Sequence, residues 1–224
     1  MGGELMKSKS FQRFAVIASV SLLALALQLC GLEDLFGRTD PQWGSGEPFV
    51  LTSTAFQNGG TIPLSMVLNS KGCAPNGASG DDLSPEMSWT HPDPRTRSFV
   101  VILFDPTASF THWGMYNISK DLRGLPQGAG VAGSTYGQQI ENDFYLGEQY
   151  DGPCPPTAYT PTTHEYVLTV YALDIELDVL QGSADFPPAG ELLYNKLIEV
   201  GQHGHILQSA SIHGTFSAVS NDAN

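Results

Sequence analysis

The sequence predicts a mainly β protein, an antiparallel two-sheet sandwich with one short helix near the C-terminus. Three observations carry that expectation. Short apolar runs recur between clusters of Gly, Pro, Asn and Asp. Two of these, Ser98–Asp105 and His164–Leu173, are long enough to be central strands. Helical periodicity is convincing in one stretch only, Glu191–Val200, whereas a βαβ sheet would place a helix between successive strands.

Taken in order, Phe49–Ser53 and the piece ending at Ile62-Pro63 read as short strands, separated by the turn signal Gln57-Asn58-Gly59-Gly60. Ser70–Asp82, rich in Gly, Asn, Asp and Ser, reads as a loop carrying Cys73. Ser84–Trp89 follows as a short extended segment. Ser98–Asp105 is apolar on both parities, as a strand covered on both faces should be, and Asp105-Pro106 ends it. His112–Ile118 is strand-like again. Seven glycines between Gly124 and Gly152 make an irregular stretch, whose aromatics and prolines predict an ordered loop. In His164–Leu173, Tyr166, Leu168, Val170 and Ala172 share one face. Pro187-Pro188 precede the helix, Leu193, Leu197 and Val200 make its apolar stripe, and Gly201 stops it. Ile206, Ala210, Ile212 and Phe216 share a parity in the last strand.

The 224 residues suffice for one domain with appendages. Lys7, Lys9 and Arg13 precede an uncharged apolar run from Phe14 to Leu29, the layout of an export signal. Cys30 after Leu27-Gln28-Leu29 suits lipidation, although Leu29 stands where a small residue is expected. Ala24-Leu25-Ala26 offers an ordinary cleavage site instead, and an uncleaved anchor is a third option, short of the ~20 residues that a span needs. The expected organisation is therefore 1–30 signal, 31–48 flexible tether, 49–219 folded domain and 220–224 tail. The chain would be exported, as a periplasmic or cell-envelope lipoprotein touching the membrane only through its N-terminal anchor.

From Gly31 onward there are 7 Lys+Arg against 22 Asp+Glu, a net of −15, more acidic than the whole chain at −13. Nucleic acid is excluded as a partner by that balance, as is charge-driven adhesion to an anionic membrane. In an oxidising compartment Cys73 and Cys154 have a disulfide as their natural use, with two free buried thiols as the alternative.

The chemistry concentrates in Asp105–Ile118, where Asp105 sits at a strand mouth and His112-Trp113 starts the next strand seven residues later, enough to form a small polar pocket. Asp105 alone also suits a turn cap. With His164 and His205 these residues make a nominal metal-ligand set, but no short paired His spacing supports a metal, and no cofactor motif is present. Gly-x-Ser-x-Gly is absent and no serine has the setting of a nucleophile, so no enzyme is expected. His205 and His213 read as structural.

Asn58-Gly59-Gly60-Thr61-Ile62-Pro63, Ser84–Trp89, Asp105-Pro106, His112-Trp113, Gly152-Pro153-Cys154-Pro155-Pro156, His164-x-Tyr166, Gly204–Leu207 and Gly214-Thr215-Phe216 occur in the order found in one family. On those residues the chain resembles the phosphatidylethanolamine-binding proteins, specifically the bacterial Raf kinase inhibitor-like branch. The resemblance implies a sandwich with a shallow pocket for phosphate or a phospholipid-headgroup-like anion, lined by Asp105, His112, Gly152, Pro153, Pro155, His164 and Tyr166. It implies no common catalytic activity. Three departures stand out. Asp105-Pro106-Thr107-Ala108-Ser109 replaces Asp-Pro-Asp-x-Pro, the segment from Asp105 to His112 is shortened, and His164-Glu165-Tyr166 replaces His-Arg-Tyr. Strand alternation should turn Glu165 away from His164.

Two functions follow as expectations. One is a non-enzymatic extracytoplasmic binding protein, whose histidines, Tyr166 hydroxyl and local backbone N–H groups hold a phosphate-like anion while a partner protein docks over the mouth. The other is inhibition of an extracytoplasmic protease through a surface segment.

Overall fold

The computed structural model describes residues 47–158, 161–180 and 189–219. The expected signal, Cys30, nearly all of the tether and the 220–224 tail lie outside these residues, as do Pro187 and Pro188. Nine strands and one α-helix are described: β1 (Val50–Thr52), β2 (Gly60–Thr61), β3 (Met87–Thr90), β4 (Ser98–Asp105), β5 (Phe110–Ser119), β6 (Gly124–Leu125), β7 (Gln138–Gln139), β8 (Thr163–Leu173), α1 (Gly190–Gln202) and β9 (Ile206–Ser217).

Two sheets form, one of order β1-β3-β6 and one of order β2-β9-β8-β4-β5-β7. Their shared core includes Leu51, Trp89 and Leu125 from the small sheet. The large sheet contributes Phe99, Val101, Leu103, Trp113, Leu168, Val170 and Phe216. On the outer face of the large sheet, Leu193, Leu197 and Val200 of α1 bury against Val100, Ile102 and Leu173. A strand covered by a sheet on one side and a helix on the other has no polar face, which is why β4 is apolar on both parities.

One expectation needs correction, because the large sheet is mixed rather than purely antiparallel. β2 runs parallel to β9, with Gly60 opposite Gly214 and Thr61 opposite Thr215. Tight hairpins force antiparallel pairing, but β2 and β9 are joined through most of the domain, so no hairpin sets their relative direction. Backbone bonds from Gly59 N to His213 O (2.7 Å) and Ile62 N to Thr215 O (2.9 Å) extend this edge on either side.

A disulfide joins Cys73 to Cys154, with Cα atoms 4.5 Å apart. It ties the Gly/Asn-rich loop to the Gly152–Pro156 strap beside the candidate pocket. Among the described residues, no helix is long and apolar enough to cross a membrane.

Candidate functional site

Asp105 is the last residue of β4 and is buried. One carboxylate oxygen, Oδ1, accepts the N–H groups of Thr107 (2.8 Å) and Ala108 (3.0 Å), capping the turn into β5. The other, Oδ2, accepts from His164 Nδ1 at 2.6 Å. Asp105 is thus both the turn cap and a partner of the histidine, and the contact fixes the imidazole ring with Nε2 as its remaining polar atom.

His112 reaches the same space through a bulge. Leu103 and Phe104 of β4 oppose Trp113 and Thr111 of β5, leaving His112 as the extra residue between them. Regular alternation would send His112 and Trp113 to opposite faces. Instead Trp113 joins the inter-sheet core, while the His112 ring lies 5.3 Å from that of Tyr166, which belongs to the same core. Asp151 clamps the bulge twice, donating its N–H to His112 O (3.2 Å) and accepting from His112 Nδ1 through its backbone carbonyl (2.9 Å). A carbonyl only accepts, so Nδ1 carries the proton and Nε2 presents a lone pair. Burial holds the imidazole below its ordinary pKa, despite the opposing hydrogen bond from Asp151 and the Asp105 charge, and so favours the neutral form.

Tyr166 is fully buried between the two histidines, its ring 6.5 Å from that of His164. Burial, with the Asp105 charge behind it, pushes its phenol far above the ordinary range, so the hydroxyl stays protonated. That hydroxyl has no hydrogen-bond partner among the described residues. Phe110 and Phe144, 4.6 Å apart edge to face, pack on His112 and form an apolar wall.

The Gly152–Pro156 strap is held tightly against Met66–Leu68. A β-carbon at position 152 would be driven into the carbonyl oxygen of Met66, so only glycine fits. Gly152 N–H donates to Asp82 Oδ1 (2.8 Å), and Pro153 O accepts from Leu68 N (3.2 Å). The expectation that backbone N–H groups here would hold an anion therefore meets a competitor, since the Gly152, Thr107 and Ala108 donors already serve carboxylates. Pro153 and Pro155 are buried parts of the strap and have no N–H to offer.

Glu165 points to the opposite face of β8, exposed, and accepts from His213 Nδ1 at 2.7 Å. His205 pairs with Asp174 at 2.9 Å and has no part in the site. Sequence reasoning missed the supports beneath the pocket. The side chain of Asp151 accepts from Asn142 Nδ2 (2.5 Å) and Gln149 Nε2 (3.0 Å). Burial raises the Asp82 carboxyl to about 6, reinforced by Asp151. The only signal available was that Asp151 adjoins Gly152. Among the described residues, no three His, Cys, Asp or Glu side chains converge as a metal-ligand set.

Comparison with known proteins decides the relationship. The family model for phosphatidylethanolamine-binding protein matches residues 52–217, spanning every strand but the first residues of β1. The chain belongs to the phosphatidylethanolamine-binding protein family. It is 36% identical over 175 residues to the UPF0098 protein YbhB of Escherichia coli, covering 75% of this chain and 99% of that one. A UPF0098 protein of Aquifex aeolicus is 34% identical, with 73% and 85% covered. The crystal structure of E. coli YbcL, described as a new member of the mammalian family, superposes with a TM-score of 0.59 at 26% identity, covering 75% of this chain and 98% of that one. A putative family homologue from Chlamydia trachomatis gives 0.56 at 27%, with 75% and 97% covered. The family's binding-protein fold is therefore present.

Proposed function

We propose that the protein is a non-enzymatic binding protein whose pocket, formed around Asp105, His112, His164 and Tyr166, takes a small phosphate-like anion or a phospholipid headgroup. The observation that carries this reading is the Tyr166 hydroxyl, a buried and protonated donor with no partner among the described residues. Leaving such a group unsatisfied costs about 1–3 kcal/mol, and an acceptor oxygen from a ligand offsets that cost. His112 and His164 flank it with their remaining ring nitrogens, and the Gly152–Pro156 strap forms the wall.

Export completes the reading. The basic-then-apolar start of the chain and the Cys73–Cys154 disulfide both suit an oxidising compartment outside the cytoplasm. Cys30 is the proposed lipidation site and the membrane link. A protein partner over the mouth is supported by Tyr145 and Leu146, which are 72% and 59% exposed on the loop whose Phe144 packs against His112.

The test is an NMR titration of the full chain with phosphate and with phosphorylethanolamine, comparing the wild type with the His112→Ala/His164→Ala variant. Saturable shifts at the pocket that vanish in the variant are expected. Absence of shifts at millimolar ligand in the wild type would overturn the pocket.

A further inference from the structure

Two segments meet beneath the strap, and each brings a carboxyl group to the junction. Asp82 ends the Gly/Asn-rich loop in the left-handed region (φ 58°), with its N–H on Val67 O (2.9 Å) and its Oδ1 accepting the Gly152 N–H (2.8 Å). Asp151, one residue before Gly152, is fully buried, and its carboxylate lies within hydrogen-bonding reach of the Asp82 side chain. Asn142 and Gln149 each engage one oxygen of Asp151, which leaves a lone pair on both for a further donor.

Two ionised carboxylates in such contact repel strongly where water is excluded, whereas one shared proton turns the repulsion into a hydrogen bond. The surroundings favour the shared proton. Burial disfavours the charged form of Asp82 and the Asp151 charge adds to it, outweighing the Gly152 and Asn69 N–H groups that point at the carboxyl. Tyr150 donates its hydroxyl to Met66 O (2.6 Å), and burial keeps its phenol neutral beside both carboxyls. From β5, His112 meets the Asp151 carbonyl with an imidazole that burial disposes to be neutral. Lys71 and Asp81, the other charged side chains of the loop, are exposed.

We propose that Asp82 and Asp151 form a proton-operated latch, in which the Asp82 O–H donates to the Asp151 carboxylate and fastens the strap to the 70–82 loop, and loss of that proton to water loosens it. The Asp82 carboxyl is raised to about 6, so the closed strap is favoured in full below the ordinary aspartate value, ~3.8, and that advantage is lost as pH rises through about 6. The Cys73–Cys154 bridge joins the same two segments, so the latch governs small openings and not their separation. Asp151 also clamps the β5 bulge through two bonds to His112, so loosening the strap loosens that clamp. The latch works in the ligand-free protein and does not depend on the anion-pocket reading.

The experiment measures amide hydrogen exchange in the full chain, disulfide intact, at pH 5 and pH 7.5, corrected for the intrinsic pH dependence of exchange, in the wild type and in Asp82→Asn. The reporters are Gly152 N–H and Leu68 N–H, which bonds Pro153 O, while Val170 N–H at the centre of β8 reports global unfolding. Linkage makes an opening that frees Asp82 about tenfold more populated at pH 7.5 than at pH 5, and solvent screening at a half-buried group brings the expected loss of protection to about threefold to tenfold. Asp82→Asn, whose amide donates to Asp151 at both pH values, should show no such loss. The Asp82 carboxyl ¹³C resonance should titrate with a midpoint near 6, with the Asp151 resonance moving in the same step. Equal strap protection at both pH values, wild-type pH dependence in Asp82→Asn, strap amides that exchange only at the Val170 rate, or an Asp82 midpoint at the ordinary aspartate value would each overturn the latch.

Discussion

Replacing Tyr166 by Phe should move stability and binding in opposite directions. The side chain is fully buried and its hydroxyl has no partner among the described residues, so the free protein carries the desolvation cost of an unmade hydrogen bond, about 1–3 kcal/mol. Phenylalanine keeps the ring and its packing against His112 and His164, and opens no cavity beyond a single oxygen. The ligand-free Tyr166→Phe variant should therefore be more stable than the wild type by about 1 kcal/mol, the low end of that range. For a domain of this size that is a rise in Tm of about 2–4 °C. Anion affinity should fall by roughly tenfold to a hundredfold, since a hydrogen bond to a charged group contributes about 1.5–3 kcal/mol. Thermal unfolding with the disulfide intact measures the first quantity, and titration with phosphorylethanolamine the second. A variant destabilised by 1 kcal/mol or more would refute the reasoning, because the hydroxyl would then have a structural partner.

Further expectations concern the supports of the pocket. Asp82→Asn keeps an oxygen for the Gly152 N–H and removes a carboxylate that burial and Asp151 raise to about 6. The native carboxyl contributes stability below its unfolded value, ~3.8, which is lost as pH rises through about 6, so the variant should be more stable near neutrality but not below pH 4. The gain is about 1–2 kcal/mol by urea denaturation, reckoned from roughly 1.4 kcal/mol per tenfold change in proton affinity and discounted for partial exposure. His112 gives the opposite slope. Its folded-state pKa is lowered, so stability falls as pH drops below about 6.5 toward that lowered value, and His112→Gln should flatten this limb of a stability-against-pH curve. Gly152→Ala forces a methyl group against the Met66 carbonyl and should lower stability by about 2–4 kcal/mol in denaturant titrations. Reducing the Cys73–Cys154 bridge, which spans a sequence separation of 81, should remove about 4 kcal/mol in the chain-entropy model, read as a lower denaturation midpoint with dithiothreitol.

Much of the fold was legible because its main elements are locally consistent. β4 and β8 were marked by apolar parity, α1 by its stripe of Leu193, Leu197 and Val200, and all three lie where that pattern places them. The parallel β2–β9 pair was not legible, since two residues at a sheet edge carry no periodicity and their pairing partner lies 154 residues away. The site divided along the same line. Asp105 and His112 stood out as ionisable residues either side of a short loop, His164 and Tyr166 joined them through the family resemblance, and the structure groups the four. The bulge that turns His112 inward left no trace in residue type, because it is a property of the β4–β5 register. Asp82 acts through a hydrogen bond to a residue 70 positions away, and Asn142 and Gln149 through loop contacts to nearby Asp151, where no repeating pattern exposes them.

Two of the departures of this chain from the family pattern bear on charge at the mouth, and the structure shows where each of these side chains goes. Thr107 stands where the resemblance leads one to expect a second carboxylate. Its hydroxyl accepts the Glu165 N–H at 2.9 Å, while its own N–H is taken by Asp105. The turn is thus fastened to β8 by neutral contacts, and the mouth holds one negative charge fewer. Glu165, which replaces an expected arginine, adds no charge to the pocket side because β8 turns it outward onto His213, although an arginine there would still have contributed a distant positive field. Thr107 removes one negative charge and Glu165, in place of an arginine, makes the formal charge two units more negative, but the changes differ in position, with Thr107 two residues from Asp105 and the Glu165 side chain on the opposite face of β8. Since the screening length is about 8 Å at physiological ionic strength, the nearer change dominates. The retained acidity near His112 lies instead with Asp105 and Asp143, whose charges both act on its imidazole against the effect of burial.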